Sequence, residues 1–120
     1  MSRSQITQRK LMDTETVAAS ATVYSASRKF HDCAGDAILY IVSTAGTLAI
    51  SQQCSLNDVD WYDPVNTSDS ALGVVKAAQT VTTGVYVVFT PVISKYIRFK
   101  VIESTAETVV TLTLSYRLEV

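Results

Sequence analysis

Apolar and polar residues alternate strictly over the last eleven residues of the chain. The apolar parity holds Val110, Leu112, Leu114, Tyr116, Leu118 and Val120, and the positions between them are Thr, Ser, Arg or Glu. A period of two predicts a β-strand with one face buried and the other in water. Segment 95–103 repeats the pattern, with Ile97, Phe99 and Val101 predicted to face inward and Arg98 and Lys100 outward.

Five further segments have the composition of strands, because the β-branched residues Val and Thr are frequent along the chain. They span 16–24, 37–43, 46–52, 72–79 and 85–90, and for 72–79 a short helix is an alternative. Segments 37–43 and 85–90 are apolar on both parities, so each is predicted to lie centrally in a sheet or to be covered by something else.

Turn-forming residues separate these segments. Thr44-Ala45-Gly46 predicts a hairpin turn, and Pro91 predicts the end of a strand because it has no N–H to donate. Seven or eight short strands at this spacing predict an all-β fold, an antiparallel β-sandwich of the jelly-roll type, over residues 16–120. Residues 1–15 are predicted to form an extended N-terminal arm.

Composition and charge narrow the function classes. Ten Lys and Arg against eleven Asp and Glu give a net charge of -1, which excludes the basic surface of a nucleic-acid-binding protein. The sequence is 48% hydrophobic, too apolar for a disordered chain. It contains no run of about 18 consecutive apolar residues, so no membrane span is expected. No apolar stretch follows the basic start before residue 30, so no export signal is expected either.

The predicted arm is polar and basic, with Arg3, Arg9 and Lys10 beside the apolar Leu11. Two interpretations stay open: a frayed terminus, or an arm that orders on a neighbouring subunit with its cations on acidic surface there. Arg98 and Lys100, on the outward parity of their strand, either pair with acidic groups of a neighbour or solvate a sheet edge.

The two cysteines, Cys33 and Cys54, are expected to be free thiols because no export signal is expected. A disulfide between them is the alternative. It requires that 38–43 and 48–52 form a hairpin with the cysteines diagonally across its ladder, and that a bulge brings them opposite each other.

Little in the sequence points to catalysis or metal binding. His31 neighbours Asp32 and Cys33, but no orienting partner or Gly-rich oxyanion turn accompanies them, so neither an enzyme nor a cofactor is expected. One loop offers several oxygen ligands and is a weak calcium candidate, with a solvated acidic loop as the alternative; the ligands would be Asn57, Asp58, Asp60 and Asp63.

Trp61 and Tyr62 form the densest aromatic pair of the sequence. Exposed on a sandwich face, two such rings form a platform for the apolar face of a glycan ring. The alternative, which the single Trp favours, is that Trp61 closes one end of the core with Tyr62 at its edge.

The second half of the chain resembles small β-sandwich proteins of tailed bacteriophage particles. The motifs that carry the resemblance follow in order: Gly46-Thr47-Leu48, then Ser55-Leu56-Asn57-Asp58-Val59-Asp60-Trp61, then Gly84-Val85-Tyr86, then Tyr96-Ile97-Arg98-Phe99-Lys100-Val101. The layout is also similar to discoidin-like and carbohydrate-binding jelly rolls. The match covers about residues 46–120, and the turn before Trp61 departs from the pattern in carrying an inserted Leu and lacking its Gly.

The resemblance implies a virion component assembled in the host cytoplasm. The expected function is that of a capsid decoration (cement) protein that binds the major shell, and the alternative is a carbohydrate-binding module of a tail or head fibre that recognises host glycans. The expected partners are other virion proteins and further copies of the chain in a homo-oligomer, with no nucleic acid and no membrane.

Overall fold

The structure is a computed structural model that describes residues 4–30, 33–80 and 84–119. Its regular elements are β-strands, which run β1 Ser4–Val17, β2 Thr22–Tyr24, β3 Arg28–Lys29, β4 Cys33–Ser43, β5 Thr47–Ser55, β6 Val74–Thr80, β7 Val85–Phe89, β8 Tyr96–Glu103 and β9 Thr108–Glu119. Within these ranges no helix has the length and apolarity to cross a bilayer.

The strands form two antiparallel sheets packed face to face. One sheet has the order β1-β9-β4-β7, and the other has the order β2-β8-β5-β6, with β3 also paired to β8. All but one of the paired neighbours come from distant parts of the chain, and the exception is β5 with β6, which follow each other in sequence. The predicted all-β antiparallel sandwich is therefore confirmed.

The chain changes sheets at Thr44-Ala45-Gly46, so the predicted hairpin between β4 and β5 is wrong. Gly46 has φ of 82°, a left-handed conformation, and a Cβ there would overlap the Glu103 carboxylate. This turn therefore carries the chain across the sandwich rather than back along one ladder. The disulfide alternative required a hairpin that placed Cys33 diagonally across from Cys54. No such hairpin forms, because the two residues lie in strands of different sheets.

The N-terminal segment differs from the predicted arm. Residues 4–17 form β1, which pairs with β9 along its length. The pairing shifts register between Lys10 and Met12, and this β-bulge lets the adjacent residues Leu11 and Met12 both reach the core. Leu11, predicted to contact a partner, is therefore a core residue of its own chain.

The core lies between the two sheets and consists of the inward parity of their strands. The three predicted inward residues of β8, Ile97, Phe99 and Val101, are fully buried. Residues of β9 meet them from the other sheet, and its described core positions are Val110, Leu112, Leu114 and Tyr116. The Phe99 ring lies edge-on to Phe89, with 5.9 Å between the ring centroids.

Strand β7 lies at the edge of its sheet, paired to β4, so its predicted central position is wrong. Its inward residues pack against the core, whereas Tyr86 and Val88 are 72% and 63% exposed on the outer face. The alternative was that something else covers the outer face of β7, and this alternative stays a prediction.

One buried carboxylate organises the turn from β8 to β9. Glu103 is 1% exposed, and its Oε1 accepts hydrogen bonds from the backbone N–H groups of Thr105 and Ala106. Burial alone raises the pKa of Glu103, but these hydrogen bonds outweigh it and hold the pKa below its ordinary value. The ionised form is therefore the one that the fold stabilises.

We expect Glu103→Gln to lower the free energy of unfolding at neutral pH by roughly 2 kcal/mol, because hydrogen bonds to a charged acceptor are replaced by weaker ones. A depressed folded-state pKa contributes stability above the ordinary range of Glu, and that stability is lost as pH falls through the folded pKa. The difference between the two proteins should therefore shrink on acidification. Urea unfolding across acidic pH measures it, and a constant difference would contradict the assignment.

Candidate functional site

The outer face of the five-stranded sheet carries an arginine held between two aromatic rings. The Arg98 guanidinium carbon lies 4.1 Å from the centroid of the Tyr24 ring and 4.5 Å from that of the Trp61 ring. Arg98 Nε also donates a hydrogen bond of 2.8 Å to Gln53 Oε1. The guanidinium is fixed in direction by these three contacts, since stacking and the planar fork each restrict its rotation.

A second set of polar contacts continues from this arginine. The Gln53 side chain is 7% exposed and donates a 3.0 Å hydrogen bond to Asp63 Oδ1. The Lys100 ammonium lies 3.3 Å from both Asp63 carboxylate oxygens. The hydrogen bond from Gln53, and the weaker effect of Lys100, hold the pKa of Asp63 below its ordinary value. Arg98 and Lys100 do face outward as predicted, and Lys100 already has an acidic partner within its own chain.

A groove of about 280 Å³ opens beside this face, between the segment after β5 and the loop before β8. Three large apolar side chains line it and are strongly exposed: Leu56 at 80%, Tyr62 at 66% and Ile93 at 98%. We call these three residues the apolar rim. Val59, 75% exposed, lies on the same loop as Leu56. Apolar side chains gathered in this way are typical of a contact surface.

Local hydrogen bonds fix the loop that carries Leu56. Asn57 Oδ1 accepts from the backbone N–H groups of Val59 and Asp60, at 3.0 and 2.8 Å. Ser55 Oγ accepts from the N–H groups of Asn57 and Asp58. Asp58 has φ of 62°, which Asn and Asp tolerate better than other non-Gly residues. The loop is therefore rigid although its apolar side chains point into water.

A buried glutamine fixes the loop that carries Ile93. Gln52 is 1% exposed, and its amide forms two hydrogen bonds with the backbone of Val92: Nε2 donates to the carbonyl at 2.9 Å, and Oε1 accepts from the N–H at 3.0 Å. The side chain thus replaces a strand partner for Val92. Ile93 follows directly and is held outside the core.

The predicted aromatic pair is separated by the structure. Trp61 is half-buried against Arg98, whereas Tyr62 is exposed and lines the groove. Tyr62 pairs through its backbone with Cys54, and this bridge turns the two neighbouring side chains in different directions. Trp61 therefore does not close the core, and the two rings do not form one flat platform.

Three of the four calcium candidates, Asn57, Asp60 and Asp63, form other interactions, whereas Asp58 contributes a backbone N–H to Ser55. Asn57 Oδ1 accepts from backbone N–H groups, Asn57 Nδ2 donates to Asp60 Oδ2 at 2.8 Å, and Asp63 is bound to Gln53 and Lys100. Within residues 4–30, 33–80 and 84–119, no three His, Cys, Asp or Glu side chains converge as metal ligands.

The Cys54 thiol lines the groove and is free. Burial raises its pKa above the ordinary value, despite hydrogen bonds from Ser94 and Gln52, so the thiol stays protonated at neutral pH. His31 and Arg3 lie outside the described residues, as does the side chain of Cys33. Arg9 is exposed on β1, and Lys10 forms an exposed ion pair with Asp13 at 3.7 Å.

Sequence reasoning missed Tyr24, Gln53 and Ile93. Tyr24 and Gln53 reach Arg98 from β2 and β5, which are far from it in sequence and adjacent only in the sheet. The alternation of β8 identified Arg98 but carries no information about its neighbours. Ile93 follows Pro91 in a segment without periodicity, and its position after the strand-ending Pro is the one signal that could have placed it in a loop.

No protein-family model and no curated protein sequence matches the chain. Among solved structures, the chain is similar to the SPBc2 prophage-derived protein YomS, with a TM-score of 0.59 and 14% sequence identity. The similarity covers 96% of this chain and 95% of that protein. At this identity the likeness concerns the fold, over nearly the whole of both chains.

We expect Arg98→Ala to expose the Trp61 ring, because the guanidinium covers one of its faces. The Trp61 emission should shift to longer wavelength, and the free energy of unfolding should fall by about 1–2 kcal/mol with the loss of two cation–π contacts. Lys29→Ala, which removes an exposed cation from β3 of the same sheet, is the matched control and should leave emission unchanged. Identical spectra for the Arg98 variant and the wild type would contradict the stacking.

Proposed function

We propose that the chain is a non-enzymatic structural component of a phage particle, a decoration protein that binds the major shell protein through the apolar rim. The rim is the observation that carries the proposal. It exposes Leu56, Tyr62 and Ile93 on loops that internal hydrogen bonds already hold in place. Binding through a preordered surface costs little conformational entropy, which suits a protein that stiffens a shell.

The fold provides a second argument for this proposal. Its sandwich is shared with YomS, which is prophage-derived, and four motifs of the sequence resemble those of small tailed-phage sandwich proteins. A two-layer sandwich with a closed core is stiff, and its function in a particle requires only surface contacts. Assembly would take place in the host cytoplasm, with the mature protein on the outside of the virion, away from the packaged genome.

The stacked arginine lies next to the rim and completes the proposed contact. The Arg98 guanidinium is half-buried between Tyr24 and Trp61, and its planar fork suits a carboxylate on the shell protein. An apolar contact with a neighbouring fixed cation is a common composition for an interface.

We expect Ile93→Asp to weaken binding to particles of the parent phage assembled without this protein by at least roughly tenfold, because a charge would be buried in the contact. Val65→Asp is the control: Val65 is 48% exposed and does not line the groove, so its variant should bind like the wild type. Co-sedimentation with the particles measures both. Equal binding by all three proteins, or no binding by the wild type, would exclude docking through the rim.

A second candidate function is recognition of a host glycan by a tail or head fibre. The observation that favours it is the exposed Tyr62 ring, which lines the groove together with the polar side chains of Asn57 and Asp60. An aromatic ring beside amide and carboxylate groups matches the apolar face and the hydroxyl groups of a sugar.

For the glycan candidate we expect the wild-type protein to bind members of an array of bacterial surface glycans, and Tyr62→Ala to lose that binding. Leu72→Ala, which shortens an exposed apolar side chain outside the groove, is the control and should keep it. If no glycan on the array is bound, the glycan-recognition candidate is excluded and shell binding remains the proposed function.

A further inference from the structure

The terminal nitrogens of Arg98 have no acceptor among the residues that the structure describes. Its Nε donates to Gln53 Oε1 at 2.8 Å, but neither Nη1 nor Nη2 forms a hydrogen bond or an ion pair with a described residue. Arg98 is nonetheless half-buried, so its guanidinium has lost part of its hydration. A charged group in this state gains free energy from an anion that replaces the lost water.

The carboxylate of the same polar network is bound by other groups. Gln53 Nε2 donates to Asp63 Oδ1 at 3.0 Å, and the Lys100 ammonium lies 3.3 Å from both Asp63 oxygens. The bond to Asp63 also orients the Gln53 amide, so that its oxygen is directed at Arg98. The chain therefore fixes the direction of the Arg98 side chain, while no described residue pairs its charge.

Two aromatic rings restrict the direction from which a ligand reaches Arg98. The centroids of Tyr24 and Trp61 lie 4.1 and 4.5 Å from the guanidinium carbon, so the rings cover its faces. Gln53 occupies the Nε position. The edge formed by the two Nη groups is left for a ligand that approaches in the plane of the guanidinium. We call Tyr24, Trp61 and Arg98 the arginine slot.

The shape of the arginine slot distinguishes between oxyanions. A carboxylate is planar, and its two oxygens match two parallel N–H groups without leaving the guanidinium plane. A phosphate is tetrahedral, so some of its oxygens are directed out of that plane, toward the rings. The face of an aromatic ring carries partial negative charge and repels such an oxygen. The slot therefore favours a carboxylate over a tetrahedral anion.

We propose that the arginine slot binds the carboxylate of an Asp or Glu side chain of the shell protein, end-on through Nη1 and Nη2. The slot borders the apolar rim, because Trp61 is followed directly by Tyr62. A carboxylate beside a surface of large apolar side chains suits a protein partner better than a hydrophilic sugar acid. The source of the carboxylate rests on the proposed function, whereas the binding of a carboxylate does not.

The fluorescence of the purified protein tests the site, because Trp61 is the single Trp of the chain and belongs to the slot. We titrate the protein with sodium acetate, phosphate or chloride at neutral pH and constant ionic strength. We expect acetate to change the Trp61 emission saturably in the millimolar range. Phosphate should have a dissociation constant at least roughly tenfold higher, and chloride should cause no saturable change.

Two variants separate the charge of the slot from its shape. Arg98→Lys keeps the charge but loses the parallel N–H groups, and it should raise the acetate dissociation constant at least roughly tenfold. Tyr24→Leu keeps the arginine but removes one ring, and it should bring acetate and phosphate to similar affinities. Tyr24 is 46% exposed, so this variant should fold. Lys29→Ala, on β3 of the same sheet, is the matched control and should titrate like the wild type.

The site is overturned if the wild type shows no saturable response to acetate, if it responds equally to acetate and phosphate, or if Arg98→Lys titrates with acetate like the wild type. Ile93→Asp should keep the acetate titration, because Ile93 lies outside the slot. A failure of the rim and a failure of the slot are therefore distinguishable.

Co-sedimentation with the particles tests the source of the carboxylate. We expect Arg98→Lys to weaken particle binding about tenfold and Lys29→Ala to leave it unchanged. If the wild type binds acetate while Arg98→Lys binds particles like the wild type, the assignment to the shell protein is overturned. Array glycans with uronic acids that bind the wild type but not Arg98→Lys would overturn it as well, and would assign the carboxylate to a sugar.

Discussion

The rest of the structure depends on one constraint: the inward-facing side chains of one sheet pack against those of the other. Ile97, Phe99 and Val101 of β8 are fully buried against Val110, Leu112 and Leu114 of β9. Because these strands lie in different sheets, every side chain of the opposite parity is directed outward. The outward positions of Arg98 and Lys100, and the existence of two outer faces, follow from this burial.

The two outer faces differ in whether their side chains have interaction partners within the chain. On the five-stranded sheet, Gln53, Asp63 and Lys100 satisfy one another, and Arg98 is covered by aromatic rings. On the four-stranded sheet, Tyr86 and Val88 face water without such partners. The polar groups of the first face therefore have partners within the chain, whereas the apolar side chains of the second have none of this kind. A subunit of an assembly would need both a stiff scaffold and contacts of this kind.

Buried polar side chains connect the scaffold to the proposed contact. Gln52 and Glu103 are each 1% exposed. Gln52 binds the backbone of Val92 between β7 and β8, and Glu103 accepts from backbone N–H groups between β8 and β9. An unpaired buried polar group is costly, so these side chains hold their loops in one conformation. Within the apolar rim, buried Gln52 holds the loop of Ile93, and Ser55 and Asn57 hold the loop of Leu56.

The sequence by itself determined the fold class and the core parity of the long strands, because period-two alternation depends only on which residues are apolar. It also placed Arg98 and Lys100 on the outward parity of β8, but it favoured a core position for Trp61, which the structure places half-buried against Arg98. It could not determine that residues 4–17 form a strand, since the β-bulge at Leu11 and Met12 breaks the alternation and β9 supplies the pairing. The tertiary structure alone decided that β4 and β5 belong to different sheets, that Tyr24 and Gln53 meet Arg98, and that β7 lies at an edge. Each of these is a contact between residues distant in sequence, and such contacts are set by strand order, which local pattern does not encode.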